Sequence, residues 1–168
     1  MDKRKKIPKQ IHHFIEKYRI YGANHKLYKK VAEDLQAQFG EIPSVEDIEW
    51  RLYQHMLDIL ASIPDFQALS YLYTDMAVIR YRISKLAGDQ DMEEANNYRL
   101  LYLKSLNCDE VEIINNLIDT CLPCNTLSGK RFSIEEALIT MPLPPEGCVC
   151  FSSKFGYCTC MYLAIYKS

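Results

Sequence analysis

The sequence predicts a mainly α protein, with an N-terminal bundle of about five helices and a small C-terminal α+β module. Two observations carry that reading. Through residues 9–106 apolar side chains recur at intervals of three and four, broken by single turn residues. After Asn107 the texture changes to β-branched pairs, turn residues and prolines, and six of the seven cysteines fall between Cys121 and Cys160. The expected organisation is a helical bundle over 1–107 with a basic tail, and a cysteine-rich module over 108–168. At 168 residues, 48% hydrophobic and 25% charged, such a chain has the material for a real core.

The first helix is expected from Lys9 to Tyr21, stopped by Gly22. Leu27, Val31, Leu35 and Phe39 mark a second, from Asn24 to Phe39, with Gly40 as its stop. Pro43 and Ser44 open a third, with Asp47 in the place of a capping partner and a stripe of Ile48, Leu52, Met56, Ile59, Leu60 and Ile63. Pro64 and Asp65 break it and start a fourth. Its seam of Leu72, Met76, Ile79, Ile83 and Leu86 runs to Gly88 and reads as packed between other helices. A fifth is expected over Asp91–Leu106, presenting Tyr98, Leu101, Tyr102 and Leu106. Val111 to Ile114 reads as a strand, Cys121 to Cys124 as a turn, and Gly129 to Phe132 as a hairpin return. Ser133 and Glu136 form a capping signal for a short helix that Pro142, Pro144 and Pro145 end. Cys160 to Tyr166 reads as a last strand with Met161, Leu163 and Ile165 on one face.

The net charge of −2 conceals an asymmetry. Residues 1–30 hold ten Lys/Arg against two acids, whereas residues 31–110 hold six against fifteen. A basic start can meet an anionic partner such as nucleic acid, dock on the acidic middle, or stay solvated as the Lys3, Arg4, Lys5, Lys6 run would. No apolar segment follows that run as a secretory signal requires, and none approaches the length of a membrane span. A cytoplasmic location and no membrane partner are therefore expected. Thiols stay reduced there, so clustered cysteines point to metal or redox chemistry before disulfides.

Cys121 and Cys124 are spaced C-x2-C; Cys148 with Cys150, and Cys158 with Cys160, are spaced C-x-C. A C-x2-C turn lets two sulfurs approach one ion while turn N–H groups face the thiolates, and Pro123 stiffens this one. In an extended C-x-C segment both side chains leave the same face, so either C-x-C pair can complete a tetrahedral zinc site. A module with few large apolar residues also needs such a staple. Structural zinc is the expected cofactor, which makes the module zinc-stapled. An iron–sulfur cluster, dithiol redox chemistry and disulfides are the alternatives. Cys108 stands apart and reads as a buried thiol.

Other chemistry finds little support. His12 and His13 are helix neighbours, about 100° apart, and His55 reads as a packing histidine beside the third helix's stripe. Glu46, Asp47 and Glu49, like Asp89, Asp91, Glu93 and Glu94, read as helix starts. The second group lacks the glycine and terminal glutamate of a calcium loop. Glycines are single, so no phosphate loop is present. Trp50 reads as core. No catalytic residue is assigned.

Cys121, Cys124, Leu127, Gly129, Lys130, Phe132, Ile134, Glu136, Ala137 and Leu138, then Pro142, Leu143, Pro144, Cys148, Gly156, Tyr157, Cys158, Cys160 and Tyr162, make a longer pattern. It resembles a cysteine-rich C-terminal module found on uncharacterised proteins of Gram-positive bacteria and their mobile elements. More distantly it is similar to the C-terminal cysteine motif of phage minor head (head morphogenesis) proteins. The likeness covers residues 108–163, with Thr159 where the pattern has arginine and Cys150 as an addition. It implies Cys121, Cys124, Cys148 and either Cys158 or Cys160 as zinc ligands, and it implies no activity. The expectation is a non-enzymatic interaction or adaptor protein, prophage-associated, whose helices meet a protein partner. Nucleic-acid binding through the first thirty residues and a cysteine-based redox or metalloenzyme are the alternatives.

Overall fold

The computed structural model describes residues 7–115, 121–150 and 158–166. These form seven α-helices, one 3-10 turn and a three-stranded antiparallel sheet. The chain divides after Pro64 into two compact units, so residue 108 lies inside the second. The Lys3 to Lys6 run and the Gly156, Tyr157 pair lie outside the described residues.

In the first unit α1 (Lys9–Lys17) gives way at Tyr18 to a 3-10 turn (Arg19–Tyr21), and Gly22 closes it in the left-handed region at φ 95°. The helix expected to reach Tyr21 is thus two pieces. Asn24 caps α2 (His25–Phe39), its side-chain oxygen accepting from the N–H groups of Lys26 and Leu27 at 2.9 and 3.0 Å. α3 (Val45–Leu60) opens on a reciprocal cap. The Asp47 N–H donates to Ser44 Oγ at 3.0 Å, and the Ser44 N–H donates to Asp47 Oδ2 at 3.2 Å. Aspartate therefore does here what glutamate or glutamine usually does.

α1 buries Ile11, Phe14 and Ile15, and α3 buries Ile48, Leu52, Tyr53, Met56 and Leu60. The Phe14 ring meets Tyr53 edge-on at 5.0 Å and Tyr18 at 5.1 Å, a geometry that suits the ring quadrupoles. Ile63, expected on the α3 stripe, lies past the helix end and is exposed. Trp50 is half-buried. His55 is not a packing residue: it is exposed, at the rim of a cleft it shares with Arg51, Lys30 and Asp34. His12, His13 and His25 are exposed too.

The second unit starts with an antiparallel hairpin of α4 (Phe66–Tyr81) and α5 (Lys85–Ser105). Asp65 caps α4 through the Ala68 N–H, and Ser84 caps α5 through the Ala87 N–H. The seam expected to run through Ile83 and Leu86 stops at Met76 and Ile79; Ile83 is 83% exposed and Leu86 69%. Gly88 is not a stop but an interior residue of α5, buried against the Tyr81 ring. Asp89, Asp91, Glu93 and Glu94 accordingly lie within α5 rather than at its start. Asp89 accepts from the Tyr81 hydroxyl at 2.8 Å and pairs with Lys85. Asp91 pairs with Arg80 at 3.1 Å. The buried side of α5 is Met92, Ala95, Asn96, Leu100 and Leu103; Leu106, expected there, is exposed.

β1 (Glu110–Asn115) is the middle strand, with β2 (Arg131–Ser133) and β3 (Cys160–Ile165) antiparallel on either side. Glu110 faces Ser133 and Ile165, and Asn115 faces Cys160. The expected hairpin return is present: Gly129, at φ 80°, donates to the Ile113 carbonyl at 2.8 Å, and Ile113 donates back to Lys130 at 2.9 Å. Ser133 caps α7 (Ile134–Thr140), accepting from the Glu136 N–H at 3.1 Å. Met161 and Leu163 face outward, so the buried side of β3 is Cys160 and Tyr162 instead. The register with β1 decides this, because a strand's faces alternate and only one can meet the core.

Candidate metal centre

The core of the second unit joins Leu100 and Leu103 of α5, Val111 and Ile113 of β1, and Ile134 and Ala137 of α7 to Cys124, Cys148, Cys150, Cys158 and Cys160. The sulfurs thus sit where a larger domain would place Leu and Phe. Cys121–Cys124, expected as a turn, is the start of a short helix, α6 (Leu122–Leu127), with Cys121 as its N-cap and Pro123 in its first turn. Proline suits that place because its missing N–H has no helical partner there. One helical turn brings the two sulfurs to 3.3 Å. Gly147, at φ 73°, turns the chain after Pro145 and Glu146, and the Cys148 N–H closes that turn on the Pro145 carbonyl at 3.0 Å. Both C-x-C pairs send their sulfurs to one side: Cys148 and Cys150 are buried while Val149 is exposed, and Cys158 and Cys160 are buried on either side of Thr159.

The Sγ atoms of Cys121, Cys124, Cys148 and Cys150 all lie within 4.8 Å of one another. Measured contacts are 3.7 Å for Cys121–Cys148, 3.6 Å for Cys124–Cys148, 3.6 Å for Cys124–Cys150 and 3.5 Å for Cys121–Cys150. Thiolates about 2.3 Å from a zinc ion stand about 3.8 Å apart at the corners of a tetrahedron, so these sulfurs already occupy that space. Cys124, Cys158 and Cys160 form a second group within the same limit, with Cys124 to Cys158 at 3.7 Å. Cys124 belongs to both. The cluster could hold a metal ion.

Its electrostatics fit that reading. Burial and the neighbouring Cys121 push the Cys124 thiol far up, and contact with Cys158 and burial do the same to Cys148. Burial raises Cys150 as well. Cys158 gains from Cys148 but loses more to Cys160 and to burial, and rises to about 12. Cys121 goes the other way. Burial disfavours its thiolate, but the N–H groups of Cys124 and Val149 and the adjoining thiols outweigh burial and hold it at about 6. Crowded sulfurs cannot all ionise without a cation among them, and a divalent ion supplies that compensation. Backbone N–H groups of Cys150, Cys121 and Cys160 also face the sulfurs of Cys148, Cys150 and Cys158.

The five residues expected as ligands, Cys121, Cys124, Cys148, Cys158 and Cys160, are brought together. The structure adds Cys150, which the expected set leaves out and which stands among the four closest sulfurs. Its signal was in the sequence, as half of a C-x-C pair whose two side chains share a face. Cys108 is a buried thiol donating to the Glu110 carbonyl at 3.1 Å, outside both groups.

Fold and site together define a mainly helical protein with a sulfur-lined core centre at its C-terminal sheet. Comparison with family models, with characterised proteins and with solved structures gives no match. No helix among the described residues is long and apolar enough to cross a membrane.

Proposed function

We propose that this chain is a zinc-binding protein without catalytic chemistry, an interaction or adaptor protein whose second unit is held folded by the metal. The observation that carries the reading is the closed set of four sulfurs, Cys121, Cys124, Cys148 and Cys150. Four thiolates fill a tetrahedral ion, whereas a catalytic zinc keeps one position for water or substrate. With the metal in a structural role, the helical surfaces and the outward side of the sheet are what a protein partner meets. The pattern over residues 108–163 adds a prophage or mobile-element setting to the proposal. The test is metal analysis of the full chain purified without added metal. Tightly held zinc, with loss of structure on chelation, is the expected result. A metal-free chain with freely titrating thiols would overturn it in favour of dithiol redox chemistry.

One observation favours a second reading, nucleic-acid binding by the basic start. Lys9, Arg19, Lys26, Lys29 and Lys30 are all exposed, so their charge stands at the surface rather than buried against the acidic middle. Binding of this kind releases counterions and weakens steeply with salt. Neutralising Lys26, Lys29 and Lys30 together is expected to lower the slope of log affinity against log salt by roughly 2 to 3. An affinity for duplex or single-stranded oligonucleotides that ignores both salt and these substitutions would dismiss this reading.

A further inference from the structure

The six clustered cysteines exceed one tetrahedral site by two, and the geometry says where the surplus goes. The four-sulfur group and the group of Cys124, Cys158 and Cys160 are not separate clusters. They share Cys124, whose sulfur lies within 3.3–3.7 Å of those of Cys121, Cys148, Cys150 and Cys158. Cys148 lies 3.6–3.7 Å from Cys124 and Cys121 and belongs to the four-sulfur group, so Cys124 is the sulfur common to both groups. Cys158 and Cys160 are themselves buried, 5% and 8% exposed, in the same core.

We propose that the cluster takes two zinc ions, with Cys124 as a thiolate shared between them. Cys121, Cys148 and Cys150 complete the first ion's tetrahedron, and Cys158 and Cys160 hold the second ion beside Cys124. This rests on the zinc reading above and deepens it.

A thiolate sulfur has lone pairs enough to bind two metals, so one shared and five terminal sulfurs give the first ion four donors and the second three, with its fourth donor supplied from outside the six cysteines. The charges also balance as well as in a simple site. Six thiolates around two dications leave about two net negative charges, the same as four thiolates around one. Each thiol releases its proton as the ion enters. With a single ion, two buried thiols would remain pressed against metal-bound sulfurs without coordinating anything. With two ions every clustered cysteine has a partner, and the N-terminal α6 pair, the Cys148 turn and β3 are tied at one point.

The experiment measures zinc per chain in the full-length protein, then replaces zinc with cadmium and records cadmium NMR. Two zinc ions per chain and two cadmium signals that couple to each other through shared sulfur are expected. One zinc and one signal would overturn the inference and leave the zinc reading standing. Two signals without coupling would also overturn it, as two unlinked sites. No zinc, or iron with inorganic sulfide, would overturn both. The double variant Cys158→Ala, Cys160→Ala is expected to fall from two ions to one. If that variant does not fold by circular dichroism, the stoichiometry and coupling of the unaltered chain decide the matter alone.

Discussion

Replacing Cys124 by serine is expected to abolish metal binding and unfold the second unit. Cys124 is fully buried, and its sulfur touches those of Cys121, Cys148, Cys150 and Cys158. A hydroxyl in its place is a poor zinc ligand and an awkward guest among apolar neighbours. Structural zinc contributes on the order of 10 kcal/mol to the folding of small modules, comparable with the whole stability of an ordinary domain, about 5–15 kcal/mol. The loss therefore cannot be absorbed by the remaining contacts of β1, α6 and α7. Metal content should fall to background, and the tertiary circular dichroism of the aromatic residues should shift toward that of the chelated protein. Cys108→Ala is the control. That thiol is just as buried but lies outside the sulfur groups, so its loss should cost only about 1 kcal/mol and leave metal content unchanged. A Cys124→Ser protein that keeps its metal and its fold would sink the structural reading of the cluster.

The second large effect belongs to Gly88. A methyl group built there would stand 2.4 Å from Cδ1 and 2.5 Å from Cγ of Tyr81, inside any tolerable contact. The ring cannot simply swing aside, because its hydroxyl is tied to Asp89 one residue further along α5. Gly88→Ala therefore sets two effects against each other. Alanine improves the helix by about 1 kcal/mol, while overpacking costs about 1–3 kcal/mol and the displaced hydroxyl bond adds roughly another 1 kcal/mol. The clash wins, and urea unfolding should show a net loss of about 1–3 kcal/mol. The sign should reverse in a Tyr81→Ala background, where only the propensity gain is left. A Gly88→Ala protein as stable as the parent, with or without Tyr81, would show that α4 and α5 do not approach as closely as described.

Two of the unexpected features of the fold have one origin. Gly88 looks like a helix end because glycine usually is one, and Ile83 with Leu86 looks like the continuation of a seam because the spacing is right. Both readings use only the residues near in sequence. What overrides them is the approach of α4 to α5, which requires the chain to turn at Arg82–Ser84, where the Ser84 cap starts the new helix. Once it turns there, Ile83 and Leu86 face away from the hairpin and Gly88 faces into it. The outward Met161 and Leu163 have the same kind of cause. Alternation identifies two faces of β3 but not which one is inside, and the pairing of Tyr162 with Ile113 of β1 settles it.

Much was legible without any structure. Local chemistry determines the mainly helical class, the caps at Ser44 and Ser133, the hairpin return through Gly129 and the change of texture after Asn107, because each depends on residues within one turn of one another. The cysteine spacings likewise determine that sulfurs should gather, since C-x2-C and C-x-C each set two thiols on one side of a short segment. Only the tertiary structure decides which pairs meet, that Cys150 joins Cys121 and Cys124, and that Cys124 serves both groups. Those facts depend on how α6, the Pro145–Cys148 turn and β3 close on β1, across separations of up to 36 residues between Cys124 and Cys160, and no local preference reaches that far.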